Sequence, residues 1–371
     1  MILFFFTFFS LYSLLHLYLL IKVRSAFILP WKITAIIPPF FILMIFSPAI
    51  IRLLEKHNLD ELARALSYIG YTWMGLLFLF CSISMPLDIL GFLTNRINFL
   101  RRSINIPVSF SFIVSSSLAI AIGFYGFFEA RNIRIERHII KTQKISERIR
   151  IVQISDVHIG LIVRGDRIRK IVDLIKREHP DIVVSTGDLV DGQINNLRGL
   201  SDILCEVKPR YSKFAITGNH EFYAGLKQAI EFTEKAGFMV LRGEGITVSN
   251  LINIAGVDDP AGKAYNQYID ISEKHLLSQF PKERFTILLK HRPTVKGDSI
   301  GFFDLQLSGH THKGQIFPFS LFTWLYYPVH AGKMSLTDSS YLYVSRGTGT
   351  WGPPIRFLAQ PEITVIDLIP H

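Results

Sequence analysis

The stretch "RIRIVQISDVHIG" (residues 148–160) joins an apolar run to a short polar segment. Its first eight residues have the pattern of a buried β-strand, rich in isoleucine and valine. Asp156 and His158 follow directly after this run. The stretch therefore predicts a strand that delivers two polar side chains at its carboxyl end.

The same arrangement recurs four times further along the chain. The stretches are "DIVVSTGD" (181–188), "KFAITGNHE" (213–221), "FTILLKH" (285–291) and "DLQLSGH" (304–310), the last followed by His312. The helical pattern of residues 165–180 lies between the first two strands and is typical of an α/β crossover. In open α/β sheets ligands bind at the carboxyl ends of the strands. We therefore expect these polar side chains to meet at one sheet edge.

Eight side chains at these strand ends are of types that bind metal ions. They are Asp156, His158, Asp188, Asn219, His220, His291, His310 and His312. A single polar residue at such a place usually serves the turn, but a set of this size indicates a common ligand. Oxygen and imidazole donors without thiolate favour Mn²⁺, Fe or Zn²⁺. A shared carboxylate could hold two such ions about 3.5–4 Å apart and activate a water for attack on phosphorus.

The first 130 residues have a different composition. Four apolar runs, each close to the roughly 20 residues that cross a bilayer, predict four membrane helices. They cover about residues 1–21, 33–51, 67–87 and 106–128. A cleaved signal peptide is the alternative for the first run, which lacks a basic start and a small-residue cleavage site. We expect a transmembrane region (1–130) followed by a catalytic domain (131–371).

Charge and cysteine content limit the classes of partner. The formal net charge is +10, and both halves of the chain are basic. This balance suits an anionic membrane surface or a phosphorylated substrate, whereas the basic stripe with interleaved aromatic residues that indicates nucleic-acid binding is not found. Of the two cysteines, Cys81 lies in a membrane run and Cys205 in the soluble half. The soluble half therefore has no internal disulfide, which is compatible with the cytosol.

The polar segments carry a resemblance to a known family. In this order, "DVH", "GDLVD", "GNHE", "KH" and "GHTHKGQ" resemble the five motifs of the calcineurin-like metallophosphoesterases, over nearly all of residues 149–368. The closing stretch of residues 342–368 also resembles a bacterial, membrane-associated branch that in some cases acts on phospholipids or lipid A precursors. The resemblance implies an α/β fold: a four-layer sandwich of two mixed sheets flanked by helices.

The resemblance also implies roles for individual residues. One ion would be held by Asp156, His158 and His312, and the second by Asn219, His291 and His310, with Asp188 bridging the two. His220 would protonate the leaving oxygen and stabilise transition-state charge, and Asp191 would orient His220. The two ions would be divalent, with Mn²⁺ favoured and Fe or Zn²⁺ as alternatives.

Three basic residues are candidates for binding substrate phosphate. The protein phosphatase branch continues its second motif with an arginine, but Gly192 and Gln193 stand here, which disfavours a phosphoprotein substrate. Lys313 replaces a glycine common in the bacterial branch and is either a solvated lysine or a phosphate-neutralising cation. Arg346 and Arg356 either contact phosphate or fix the glycine-rich loop around them.

An aromatic segment follows the last metal-binding motif. "IFPFSLFTWLYYP" (316–328) contains Phe319, Phe322 and Trp324 between two prolines, so it is not an ordinary central strand. It is either core packing or a hydrophobic lip that receives acyl chains, because Trp and Tyr are enriched at bilayer interfaces.

These observations favour a membrane-anchored two-metal phosphohydrolase acting on a lipid-linked phosphodiester or pyrophosphate, such as UDP-2,3-diacylglucosamine or a phospholipid. Two alternatives remain: an anchored phosphodiesterase of soluble nucleotides, and a four-helix transporter or receptor with a regulatory phosphoesterase-like domain. The segments flanking the helices carry nine Lys and Arg residues on one side and six on the other. This bias predicts an inner-membrane protein with a cytoplasmic catalytic domain.

Overall fold

The structure is a computed structural model that describes residues 2–96, 107–192, 197 and 199–371. Its contacts divide the chain into two compact units, Met1–Phe128 with Gly352–Phe357, and Glu129–Trp351 with Leu358–His371. We call them the helical unit and the catalytic unit. Gln193 and the basic residues at 101 and 102, which entered the predictions above, lie outside the described residues.

The described residues of the helical unit form four long helices. They are α1 (Ile2–Ala26), α2 (Trp31–Lys56), α3 (Asp60–Arg96) and α4 (Val108–Glu129). Each is long and apolar enough to cross a membrane, which confirms the four predicted spans as helices. Helices α1, α2 and α3 extend past their predicted ends, whereas α4 begins two residues later than predicted and ends one residue later. Side chains facing outward are largely apolar, as in Ile36, Phe110 and Phe124. Such exposure is expected of helices whose surroundings are lipid.

Small residues form the buried face of α4. Ser111, Ser115, Ala119, Gly123 and Gly126 recur every three or four residues and are all buried. Small residues at this spacing let neighbouring backbone approach closely in membrane helices. At Gly126 an added Cβ would lie 2.8 Å from the carbonyl oxygen of Arg356, so only glycine fits there. The stretch Gly352–Phe357 thus belongs to the helical unit, a feature that the expected boundary at residue 131 did not include.

The catalytic unit contains two six-stranded mixed sheets. The first has the order β1 (Arg134–Thr142), β12 (Glu362–Pro370), β2 (Ile149–Ile154), β3 (Ile182–Ser185), β4 (Ser212–Ala215) and β5 (Met239–Val240). The second has the order β10 (Gly332–Ser335), β11 (Tyr341–Val344), β9 (Leu305–Ser308), β8 (Phe285–Leu289), β7 (Ile252–Gly256) and β6 (Glu244–Val248). Strands β2, β3, β4 and β5 run parallel, as do β7, β8, β9 and β11.

Helices cover the outer faces of both sheets. They are α5 (Gly165–Arg177), α6 (Leu200–Cys205), α7 (Asn219–Ala224), α8 (Leu226–Lys235) and α9 (Glu273–Leu277), while a further helix, α10 (Phe319–Tyr326), has no buried residue. Between the sheets, Ile151 and Val184 pack in one core with Ile254 and Leu307. A second core places Ile168 and Ile171 of α5 against the first sheet, and a third places Leu276 of α9 against the second. The predicted four-layer sandwich is confirmed.

Candidate metal centre

Five parallel strands position the centre. Asp156 and His158 follow β2, Asp188 follows β3, Asn219 and His220 begin α7 after β4, His291 follows β8, and His310 and His312 follow β9. The first sheet thus supplies the carboxylate and amide oxygens and the imidazoles of His158 and His220, and the second supplies the other three imidazoles. Because β2, β3 and β4 run parallel in the first sheet, and β8 and β9 run parallel in the second, the carboxyl ends of these strands lie at one edge of their sheet, as the sequence predicted.

One group of donors contains Asp156, His158 and His312, all buried. Nε2 of His158 lies 3.1 Å from Nε2 of His312, and the latter lies 3.5 Å from Oδ1 of Asp156. His312 occupies a short 3₁₀ helix, His312–Gly314, immediately after the strand end. The predicted ligands of the first ion are therefore brought together, while their assignment to that ion stays a prediction.

The second group contains Asp188, His291 and His310. Oδ2 of Asp188 lies 3.3 Å from Nε2 of His291, which is 3.1 Å from Nδ1 of His310 and 3.3 Å from Oδ1 of Asn219. The same Oδ2 is 3.9 Å from Nε2 of His158 in the first group. Asp188 therefore stands between the two groups, where a bridging carboxylate is expected.

Close backbone approach makes this arrangement possible. A Cβ on Gly218 would lie 2.1 Å from Oδ1 of Asp188, and one on Gly309 would lie 2.3 Å from Oδ2 of Asp156. Five donor residues adopt the left-handed backbone region, with φ of 50° at Asp156, 54° at His158, 52° at Asp188, 72° at His310 and 47° at His312. Such conformations cost free energy and are concentrated at functional sites.

The donor set fits divalent metal ions. Imidazole nitrogens and carboxylate oxygens converge within 4.8 Å of one another in each group, and no thiolate takes part. Two nitrogens 3.1 Å apart, as in His158 and His312, share at most one proton, whereas a cation between such atoms satisfies both lone pairs. Nitrogen and oxygen donors of this kind suit Mn²⁺, Fe and Zn²⁺.

His220 lies beside the centre and is held by Asp191. Its Nδ1 is 2.9 Å from the carbonyl oxygen of Asp191 and 3.0 Å from Oδ1 of the same residue. Burial alone lowers the pKa of His220, but the charges of Asp188 and Asp191 outweigh it and raise that pKa to about 9. A bound cation acts in the opposite direction. Asp191 also lies 3.2 Å from Nδ1 of His158.

Glu221 was not identified as a functional residue from the sequence. Its buried carboxylate accepts backbone N–H groups of Gly218 at 2.6 Å, Asp188 at 3.0 Å and Leu189 at 2.8 Å. Burial and the charge of Asp188 raise the pKa of Glu221. These bonds tie the turn after β3 to the start of α7 and fix the backbone of the bridging carboxylate. The sequence feature that could have identified Glu221 is its position in "GNHE", directly after His220.

Arg292 was also missed, although it directly follows His291. Asp259, a buried residue, holds its guanidinium through two hydrogen bonds, 2.7 Å from Nε and 3.0 Å from one terminal nitrogen. The side chain remains 27 % exposed. Burial, His291 and the charge of Arg292 together lower the pKa of His310. A fixed, partly exposed cation therefore lies close to the second group of donors.

The predicted phosphate-binding residues differ in their surroundings. Arg346 forms ion pairs with Glu136 and Glu362, and Arg356 is fully buried in the helical unit. Both positions favour the structural role that the sequence left open. Lys313 is partly exposed next to His312. Substrate contact by each of the three stays a prediction.

The aromatic segment after the last motif forms α10. No residue of α10 is buried, and Phe319, Phe322 and Trp324 are 50 %, 62 % and 53 % exposed. The interpretation as core packing therefore does not hold for α10, whose rings are at the surface, although Ile316 and Tyr327 on either side of it are buried. A surface this apolar marks a contact site for a ligand, a partner or a membrane.

Comparison with known proteins agrees with this geometry. Residues 149–314 match the family described as calcineurin-like phosphoesterase. The chain is 40 % identical over 255 residues to an uncharacterized metallophosphoesterase of Aquifex aeolicus, covering 68 % of this chain and 97 % of that protein. A Helicobacter pylori metallophosphoesterase is 30 % identical over 374 residues, covering 98 % of this chain and 95 % of that protein.

A transmembrane protein with a metallophosphoesterase domain from Danio rerio is 31 % identical over 245 residues, covering 62 % of this chain and 56 % of that protein. Relatives of this kind and the four apolar helices indicate a membrane protein. The ordered donor groups, the matched motifs and the extent of these similarities lead to one conclusion. The chain belongs to the calcineurin-like metallophosphoesterases, metal-dependent phosphoesterases with two-metal centres.

Proposed function

We propose that this protein hydrolyses a phosphodiester or pyrophosphate bond in a lipid-linked substrate at the membrane. The observation that carries the proposal is α10, an exposed apolar helix that begins seven residues after His312. A substrate with acyl chains needs an apolar surface close to the reacting phosphate. UDP-2,3-diacylglucosamine and phospholipids have the required combination of acyl chains and phosphoester.

The donor groups would hold two divalent ions, one at Asp156, His158 and His312 and one at Asn219, His291 and His310, with Asp188 between them. Such ions, Mn²⁺ being our first choice, supply charge that polarises the phosphoryl group and a water made nucleophilic at neutral pH. Asp191 orients His220 through the contacts of its carbonyl and carboxylate oxygens with Nδ1. This leaves Nε2 of His220 for the substrate.

His220 acts as the general acid. As water adds to phosphorus and the bond to the leaving oxygen breaks, Nε2 of His220 gives its proton to that oxygen. The product alcohol or phosphate then departs neutral or singly protonated. General acid catalysis of this kind contributes about 10²- to 10⁴-fold in rate.

Two cations near the centre bind the substrate phosphates. Lys313 follows His312 and is partly exposed, and Arg292 is pre-oriented by Asp259. A guanidinium whose position is already fixed loses little freedom when it binds phosphate. The second motif of this chain lacks the arginine found in the protein phosphatase branch, and Arg292 binds phosphate in its place.

The rings of α10 form a hydrophobic lip for the acyl chains. Phe319, Phe322 and Trp324 are each at least half exposed, and Phe319 and Phe322 lie 6.0 Å apart between ring centroids. From Leu305 to Thr337 the chain contains no Asp or Glu, while Lys313 and Lys333 are basic. An apolar helix flanked by positive charge suits an anionic lipid surface.

We further propose that the catalytic unit is cytoplasmic and that the helices lie in the inner membrane. The Lys and Arg bias of the flanking segments, nine against six, supports this orientation. A phosphatase reporter fused after His371 should be inactive in the cytoplasm. Reporter activity outside the cytoplasm would reverse the assignment.

The proposal is tested with the purified full-length protein in detergent and Mn²⁺. Substrates are UDP-2,3-diacylglucosamine, a phospholipid and bis(p-nitrophenyl) phosphate, and the variants are wild type and the triple change Phe319→Ser, Phe322→Ser and Trp324→Ser. We expect the triple variant to lose most activity on a lipid substrate while it still hydrolyses the chromogenic diester. Equal loss on all substrates, or no loss on any, would remove the lip from the mechanism.

A further inference from the structure

Two exposed aromatic rings approach His220. The ring centroid of Tyr223 lies 5.2 Å from that of His220, and the centroid of Trp351 lies 6.2 Å from it. Tyr223 is 43 % exposed and Trp351 is 50 % exposed, although both stand beside a buried histidine. Exposed rings next to a general acid are available to whatever group that acid protonates.

Trp351 is held in place by its backbone. Gln315 donates from its amide nitrogen to the carbonyl oxygen of Trp351 at 2.8 Å, and its amide oxygen accepts the Trp351 N–H at 2.9 Å. Gln315 is buried and lies three residues after His312. This two-point clamp links the last metal-binding motif to the tryptophan.

The loop before Trp351 is attached to the metal edge. The N–H of Thr348 bonds the carbonyl oxygen of Ser155 at 2.7 Å, and the N–H of Gly349 bonds that of Asp156 at 2.9 Å. A Cβ on Gly349 would lie 2.0 Å from the carbonyl oxygen of Val157, so the loop needs glycine to approach so closely. The indole is therefore carried by backbone that is fixed relative to the donor groups.

Tyr223 is positioned by α7, one turn after His220. Its ring is supported by Tyr265, whose centroid is 6.2 Å away. Helix α7 also begins with the donor Asn219 and contains Glu221, whose carboxylate anchors it to the turn after β3. The distance between the tyrosine and the general acid is thus set by a short, anchored helix.

We propose that Tyr223 and Trp351 form the subsite for the leaving group and that this group contains a ring with a flat apolar face. A nucleobase and a pyranose share this chemistry, and both stack on aromatic side chains. The inference rests on the proposed role of His220, because the oxygen that receives its proton belongs to the leaving group. The lip on α10 binds the acyl chains, and the subsite is a second surface that binds the leaving group.

The test compares three diesters with the same reacting phosphate. They are the methyl phosphodiesters of uridine at its 5′ oxygen, of methyl glucoside at its 6 oxygen, and of propan-1-ol, so that every leaving group is a primary alcohol. Rates are measured with the full-length protein in detergent and Mn²⁺. We expect kcat/KM to be at least tenfold higher for a ring diester than for the propyl diester. A preference for uridine identifies a nucleobase, and a preference for glucoside identifies a sugar.

Variants connect that preference to the two rings. Trp351→Ser and Tyr223→Ser should each reduce the ring preference, the ratio of kcat/KM for the ring diester to kcat/KM for the propyl diester, about tenfold, and Trp351→Phe should retain most of the preference. Gln315→Ala should raise KM for the ring diester with kcat nearly unchanged, because Gln315 positions Trp351. Met239→Ser, which alters a residue 47 % exposed on β5, is the matched control and should retain the preference.

The outcomes separate this inference from the proposed function. Hydrolysis without ring preference, or a preference that survives Trp351→Ser, overturns the subsite and leaves the hydrolase intact. The proposed function is decided separately, by hydrolysis of the lipid substrates. If no methyl diester is hydrolysed, calorimetric titration of the Mn²⁺-loaded protein with uridine, methyl glucoside and propan-1-ol decides the subsite. Ring binding weakened by Trp351→Ser supports it, and equal binding of all three alcohols refutes it.

Discussion

His312 of the metal edge and Phe319, the first residue of α10, lie seven residues apart in the chain, yet the two regions have opposite properties. At the edge, Asp156, His158 and Asp188 are buried, polar, and held in left-handed backbone. In α10, Phe322 and Leu325 are apolar and 62 % and 70 % exposed. Both arrangements are unfavourable for an isolated folded chain, because buried polar groups and exposed apolar rings each cost free energy. Both regions therefore lower folding stability. Buried polar groups do so at the metal edge, where they suit ions, and exposed apolar rings do so in α10, where they suit an apolar ligand.

The largest effect is expected at the bridging carboxylate. Asp188→Asn removes the charge between the two donor groups, so we expect both ions to bind poorly and turnover to fall by several powers of ten. Metal content by mass spectrometry and diester hydrolysis measure the two effects. Asp173→Asn, on the exposed face of α5, is the matched control and should retain both. His310→Ala should also abolish turnover. Full turnover in EDTA would contradict the two-metal mechanism.

The general acid should show a smaller loss without loss of metal. His220→Ala is expected to lower kcat about 10²- to 10⁴-fold while the protein still binds its ions. The loss should be least for p-nitrophenyl esters, whose leaving group needs little protonation. A variant that is purified without metal would instead make His220 a ligand, and the assignment of roles would be wrong.

Glu221 distinguishes positioning from ligation. Glu221→Gln replaces an oxygen acceptor with an amide that cannot accept all of the N–H groups from Gly218, Asp188 and Leu189. Outer residues of this kind change metal affinity or activity about 10- to 100-fold. We expect a drop of that size in Mn²⁺ affinity, measured by titration of the apo protein. Unchanged affinity would mean that the backbone of Asp188 is fixed by other contacts.

The sequence predicted the edge well because its determinants are local. Each strand and its following polar residue lie within about ten residues, and the parallel direction of the strands follows from general rules of α/β folds. Arg346 was harder to interpret because its partner Glu136 lies 210 residues away. The role of Glu221 likewise depends on the turn after β3, more than 30 residues earlier.

Burial of the aromatic segment could not be predicted from its composition. The same residues suit a core or a surface contact, and only the neighbouring elements decide between the two. The assignment of Gly352–Phe357 to the helical unit could not be predicted for a similar reason, because it depends on the close approach of the Arg356 backbone to Gly126.

The smallest effect on stability is expected for a substitution in α10, and it tests directly whether the exposed rings of this helix differ from buried ones. Phe322 is 62 % exposed, whereas Phe222 in α7 is 2 % exposed, so the same substitution is made in two opposite surroundings. Removing a buried phenylalanine costs about 3–5 kcal/mol, and a surface substitution usually changes stability by less than about 0.5 kcal/mol. For a domain of 150–250 residues 1 kcal/mol corresponds to roughly 2–4 °C in melting temperature.

We therefore expect Phe222→Ala to lower the thermal midpoint of the detergent-solubilised protein by roughly 6–20 °C and Phe322→Ala to lower it by less than about 2 °C. Intrinsic fluorescence during heating measures both. A large loss in Phe322→Ala would mean that its ring packs against the protein in solution, and α10 would then be part of the core. Tolerance of the change, combined with impaired hydrolysis of the lipid substrate, would mean that the exposed rings of α10 are retained for substrate binding and contribute little to folding.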